Sequence, residues 1–308
     1  MQYLLTLLVF ILFANGEAHA QKHNPVQPAF THLAEYGNIR DFSLSKSGNE
    51  AYFTIVSPRS DASVIARMVK KAGQWQKPDL ASFSGRFRDL EPFLSPDNLR
   101  LYFASNRPLE LTDTVAKDFD IWFVERNAVG SPWSEPTNLG EPVNSAHDEF
   151  YPAVTANGNI YFTVNAFEAR KDDIFMAIWN GSSYNRPKSL NDSVNSEGYE
   201  FNAYISADEK ILIYSGYNRP DGFGGGDLYI SYNKNGLWSK AKNLGETINS
   251  THLDYCPFFD ASTNTLYFTS QRSSINTKQR YNSLNEFMDE IAKFKNGQSR
   301  IYKININL

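Results

Sequence analysis

Residues 93–106 read FLSPDNLRLYFASN: an apolar strand end, a Ser-Pro-Asp-Asn turn, and a second strand carrying Tyr102-Phe103. A polar turn between two short apolar and aromatic runs predicts a β-hairpin. The same pair of elements recurs along the chain. Tyr52-Phe53, Tyr161-Phe162 and Tyr267-Phe268 repeat the dipeptide, with Ile213-Tyr214 in the remaining slot, at spacings of 50, 59, 52 and 54 residues. The turns upstream are FSLSKSGN from Phe42, AVTANG from Ala153, YISADE from Tyr204 and FFDAST from Phe258. Downstream, DIWFVERN from Asp120, DIFMAIWN from Asp173 and DLYISYNKNG from Asp227 read as third strands. The units end in WQKPDL from Trp75, WSEPTNLG from Trp133, YNRPKSL from Tyr184 and WSKAKNLG from Trp238. Four short strands in each of five units predict an all-β chain folded as a five-bladed β-propeller. Six blades are the alternative, but a sixth needs about fifty further residues of the same pattern, and none are found.

Unit five stops after its third strand, residues 300–306. The segment QPAFTHLAEYG from Gln27 is expected to supply the missing outer strand, closing the ring and removing a free sheet edge.

Composition narrows the function. Of 308 residues, 41% are hydrophobic and 21% charged, as in an ordinary globular chain. A formal net charge of −4 and no basic block speak against nucleic acid as a ligand. The single cysteine, Cys256, excludes an internal disulfide and a Cys-cluster zinc site. Residues 4–13, LLTLLVFILF, followed by Ala18-His19-Ala20, read as a secretory signal peptide over 1–20. Ten apolar residues span only about half of a bilayer core, so the run is not expected to be a membrane anchor. The expectation is a single domain over 21–308, periplasmic or secreted, and not embedded in the membrane.

The SPDN turn at Ser95, the FASNRP and YSGYNRP strand ends, the Asp-Ile/Leu starts of the third strands and the FGGGDLY block resemble the WD40-like repeat called PD40. That repeat builds the propeller of TolB-type translocation proteins and of envelope proteins often fused to an OmpA-like peptidoglycan-binding domain. The resemblance covers roughly residues 36 to 308 and departs in unit one, where Val64 stands at the position of the third-strand Asp. It implies a propeller in the bacterial cell envelope that binds a protein partner.

Several residues invite a chemical reading. Asp89, Glu149, Glu200 and Asp254 occupy one slot at the start of the first strand in four units. If first strands line the channel, these acids would ring one mouth, where they could hold a cation or supply the paired carboxylates of a glycosidase. Alternatively each caps backbone amides or pairs with an arginine. Four alike slots favour that structural role, because acid–base catalysis needs unlike environments. His147 and His252 stand two residues before Glu149 and Asp254, but the other units do not repeat them, and solvent-facing loop histidines are expected. No metal site and no cofactor is assigned. Arg107, Arg219 and Arg272 close the second strands, and pairing with Asp120, Asp173 and Asp227 at the start of the third is expected to fix the hairpin register. The loop DGFGGGD from Asp221 precedes a strand rather than a helix, so it reads as a turn and not a phosphate cradle. Trp75, Trp133, Tyr184 and Trp238 are expected to pack between blades, with a sugar platform as the alternative.

One segment lies outside the repeat. In YNSLNEFMDEIAKFKNG, from Tyr281, Ser283 and Glu286 form a capping box and Leu284, Phe287, Ile291 and Phe294 recur at helical spacing. A helix inserted over about 283–296 follows, either packed on the propeller or docking a partner through Phe287, Ile291 and Phe294. The functional expectation is therefore a non-catalytic protein-binding or scaffold module, with a glycan-active enzyme or a glycan-binding lectin as alternatives.

Overall fold

The structure, a computed structural model, describes residues 25–110, 115–166 and 171–308. The signal-peptide expectation over 1–20 lies outside these residues. The chain is a five-bladed β-propeller, with sheets whose inner strands are Asn38–Leu44, Asp89–Leu94, Asp148–Val154, Tyr199–Ile205 and Asp254–Asp260. Each inner strand contacts the next, and the fifth contacts the first, closing the ring. Six blades are excluded by this count.

The second strand of each blade lies in the middle of a sheet that is itself packed between two others. Tyr102, Phe103 and Ala104 in Arg100–Ser105 are accordingly all buried. That is why these strands read as unbroken apolar runs instead of alternating ones. At the turn between the first two strands, Ser95 Oγ accepts from Arg100 N at 2.9 Å, and Asn98 takes the left-handed conformation at φ 61°. Asparagine tolerates that region better than most residues.

Ring closure occurs as expected. Gln27–Pro28 forms the outer strand of blade five, pairing antiparallel with Arg300–Asn305 in the register Gln27↔Lys303 and Pro28↔Tyr302. Phe30 then packs at 5.9 Å against Trp75 of blade one, across the seam.

The outer-strand aromatics bridge blades. Trp133 Nε1 donates to Tyr52 Oη of the preceding blade at 2.8 Å, and Trp238 meets Tyr161 edge-on at 6.1 Å. Arg126 lies 4.2 Å from the Trp133 ring and joins Glu50 of blade one at 2.8 Å. Among the described residues no helix is long and apolar enough to cross a membrane.

The inserted helix is Leu284–Ile291, shorter than the 283–296 expected. Ser283 caps it by accepting from Glu286 N at 3.2 Å, while Asn282 N donates back to Glu286 at 2.7 Å. Past Ile291 the chain turns instead of continuing the helix. Phe294 thereby leaves the stripe and packs on Tyr302 of the propeller at 5.5 Å.

Candidate functional site

The four slot acids are all buried, and they do not ring an open mouth. Three are locked inside their own blades. Arg107 Nη2 donates to Asp89 at 2.6 Å, Arg219 Nη1 to Glu200 at 2.7 Å and Arg272 Nη2 to Asp254 at 2.7 Å. This corrects the expected pairing of these arginines with Asp120, Asp173 and Asp227. Each guanidinium folds back over aromatic rings, Arg219 at 4.4 Å from Tyr229 and Arg272 at 4.9 Å from Tyr302, and so reaches the first strand. The third-strand acids have other partners: Lys117 and Asn138 for Asp120, Lys171 for Asp173, and the Phe223 amide for Asp227.

A second shared device holds the same acids. Asn144-Ser145, Asn195-Ser196 and Asn249-Ser250 each precede a slot acid by four residues, counted from the serine. The asparagine amide mimics a strand, bonding both N and O of Ile121, Ile174 or Leu228 at 2.8 to 3.1 Å. The serine hydroxyl donates to Glu149, Glu200 or Asp254 at 2.5 to 2.6 Å. This Asn-Ser repeat was visible in the sequence but was not read from it.

Glu149 is the exception among the four. Among the described residues no arginine reaches it. Burial pushes its carboxyl up to about 7 against the pull of Ser145, with Asp120 and Asp118 adding to the rise. It borders a cavity of about 750 Å³ shared with Lys117, His147, Phe175 and Arg186. His252 stays in its half-buried loop beside Thr251. Among the described residues, no three His, Cys, Asp or Glu side chains converge on a point fit for a metal ion.

The channel itself is built two residues further along each inner strand. Register shifts at Arg40/Ser43, Leu90/Phe93, Phe150/Ala153, Phe201/Tyr204 and Tyr255/Phe258 mark a β-bulge in all five blades. At each bulge one residue is left-handed: Asp41 (φ 62°), Glu91 (61°), Tyr151 (49°), Asn202 (53°) and Cys256 (52°). For residues other than glycine this conformation is costly, and bulges commonly re-aim side chains beside functional sites.

A hydroxyl on the preceding blade stabilises three of these backbones. Thr269, Thr54 and Thr163 accept from the amides of Asp41, Glu91 and Asn202 at 3.3, 3.0 and 3.1 Å. Blade two has Ala104 in the threonine's place, and the Tyr151 amide instead donates to Glu91 Oε2 at 2.7 Å. The other Glu91 oxygen receives Arg40 Nη2 at 2.8 Å. Arg40 Nε also donates to Asp41 Oδ1 at 2.7 Å, and the Cys256 thiol to the same oxygen at 2.8 Å. Burial raises the Glu91 carboxyl to about 7, opposed by Arg40 and aided by Asp41. Burial and the Asp41 charge together hold the Cys256 thiol protonated, well above its ordinary range.

The helix stripe is divided. Leu284 is 73%, Met288 50% and Phe287 40% exposed, while Ile291 is half-buried and Phe294 sits against the propeller. The glycine loop at 221–227 is a seam between blades four and five. A Cβ on Gly224 would stand 2.4 Å from the Thr251 carbonyl carbon, so only glycine fits there.

Solved structures with related folds include TolB from Acinetobacter baumannii, 13% identical over 87% of this chain and 54% of that one, with a TM-score of 0.47. A putative TolB from Agrobacterium tumefaciens is 12% identical over 76% of this chain and 70% of that one, at a TM-score of 0.50. An α-L-arabinofuranosidase from Podospora anserina is 9% identical over 92% of this chain and 95% of that one, at 0.49. The chain spans about half the length of the Acinetobacter protein. At such identities the likeness is one of fold. No family model matches the chain, and no curated protein does. The PD40 resemblance is thus supported at the level of the propeller.

Proposed function

We propose that the protein is an exported, non-catalytic β-propeller that binds a protein partner in the bacterial cell envelope. One observation carries this reading: a helix that the repeat does not require presents Leu284, Phe287 and Met288 to solvent side by side. Isolated exposed apolar residues are ordinary, but three on one short helix form a patch suited to a partner. The slot acids point the same way, since three of the four are held in arginine clamps with no exposed oxygen left for acid–base work. Export rests on the apolar run and small-residue cleavage motif at the N-terminus.

The test is capture from envelope extract on immobilised protein, beside a Phe287→Asp, Met288→Asp variant of unchanged melting temperature. A single stoichiometric protein retained by the parent and lost from the variant supports the reading. Equal retention by both removes the helix from it.

A second reading, glycan hydrolysis, has one observation in its favour: Glu149 is a carboxyl raised to about 7 at the edge of a large cavity, as a general acid should be. Turnover of chromogenic glycosides that vanishes in Glu149→Gln, with the fold intact, would establish it.

A further inference from the structure

The channel mouth on the side of the first-strand starts opens into a cavity of about 340 Å³, large enough for one or two sugar rings. No residue of the inserted helix lines it, so it is separate from the surface assigned to a protein partner. Its walls are aromatic: Phe119 and Phe150, with ring centres 4.9 Å apart, together with Phe201 and Tyr255. Phe150 and Phe201 are half-buried, which leaves ring surface facing solvent.

The polar lining is charge-balanced. Two guanidinium groups, Arg40 and Arg88, stand against two carboxyls, Glu91 and Asp172, with the Asn202 amide among them. A cationic ligand would meet both arginines and an anionic one both acids, so neither sign is favoured. What the set offers is planar groups suited to hydroxyls: among the described residues, the Arg88 guanidinium, whose Nε has no partner, and the Asp172 carboxyl, whose Oδ1 alone is engaged, by Asn165 at 2.7 Å. The positions are fixed: Arg40 is pinned by Asp41 and Glu91, and its guanidinium lies 5.1 Å from the centre of the Tyr255 ring. Arg88 lies 5.0 Å over Phe119, and its Nε is buried with no hydrogen-bond partner among the described residues. An orphaned donor in a preorganised polar pocket is a group waiting for an acceptor.

The residues here also differ from blade to blade. Five equivalent bulges carry Asp41, Glu91, Tyr151, Asn202 and Cys256, and the preceding positions carry Arg40, Leu90, Phe150, Phe201 and Tyr255. A purely structural plug in a repeat fold would be served by repeating one residue. From the aromatic walls, the balanced charge and the planar polar floor we infer that this pocket binds an uncharged sugar, free or as the terminal residue of a glycan.

The test uses calorimetry and saturation-transfer NMR on the intact protein. Probes are the methyl glycosides of glucose, galactose, mannose, xylose, arabinose and N-acetylglucosamine, matching β-linked disaccharides, and glucuronate and spermidine as charged counterparts. At least one neutral glycoside is expected to bind, with Phe150→Ala and Phe201→Ala each weakening it about tenfold at unchanged circular dichroism. Asp172→Asn should weaken it by a smaller factor. Disaccharides binding better than monosaccharides would identify a glycan end, and equal binding a free sugar. No binding of any neutral glycoside at about 10 mM, well above a millimolar Kd, would overturn the inference. So would binding that survives both phenylalanine variants, or binding of the charged compounds alone. Should those variants fail to fold, ligand-induced shifts in the wild-type Phe119, Phe150, Phe201 and Tyr255 ring signals decide, and shifts elsewhere only would refute it.

Discussion

On each of four inner strands, two positions two residues apart behave in opposite ways. Asp89, Glu149, Glu200 and Asp254 are the same kind of residue and sit in much the same setting, a serine hydroxyl and, in three blades, an arginine. Two residues on, Glu91, Tyr151, Asn202 and Cys256 share a backbone conformation but no side-chain chemistry. Sameness at the first position serves what every blade needs, a fixed link between first and second strands. Difference at the second, on a backbone that is expensive to hold, marks the place where the blades together build one asymmetric surface.

The comparison can be broken by substitution. The largest effect is expected from Arg107→Ala or Arg272→Ala, which strand a buried carboxylate with no cation. Each should cost about 3–5 kcal/mol in urea unfolding. Glu149, lacking such a partner, should behave with the opposite sign. Its folded pKa of about 7 lies above the ordinary 4.5, so the folded chain holds the proton more tightly. The stability that this confers is full below about pH 4.5 and is lost as pH rises through about 7. Glu149→Gln should therefore match the parent near pH 4 and exceed it by about 3 kcal/mol near pH 8, read from melting curves across that range.

Smaller changes sharpen the contrast at the axis. Tyr151→Phe removes the hydroxyl that donates to the Pro257 carbonyl at 3.2 Å, and should cost about 1 kcal/mol in chemical unfolding. Phe287→Asp, on an exposed face of the helix, should change stability by no more than about 0.5 kcal/mol in the same measurement. If instead Tyr151→Phe proved as damaging as Arg107→Ala, the axial ring would be a structural plug and the distinction would collapse.

The propeller was readable because a hairpin repeated five times states its period in aromatic dipeptides and polar turns. The closing strand was readable from a missing partner. The clamps were half readable: Arg107, Arg219 and Arg272 stood out, but linear spacing suggested the nearer third-strand acids. Only the stacking of each guanidinium on its aromatic bed turns it toward the first strand. The axial slot was opaque because its common property is a backbone angle, and no glycine announces it. One trace was nonetheless present. Tyr-Phe-Thr in blades one, three and five becomes Tyr102-Phe103-Ala104 in blade two, and that missing hydroxyl is why Glu91 serves the Tyr151 amide.

The seam that closes the ring has a mechanical consequence. Because Gln27 pairs with Lys303 and Pro28 with Tyr302, the chain leaves both strands at the same end of the pair. A force pulling the two ends apart would load these contacts one after another, as a zipper is opened, rather than all at once in shear. A propeller tethered through both ends would thus yield first at blade five, turning a closed ring into an open arc while the clamps of the other blades still hold.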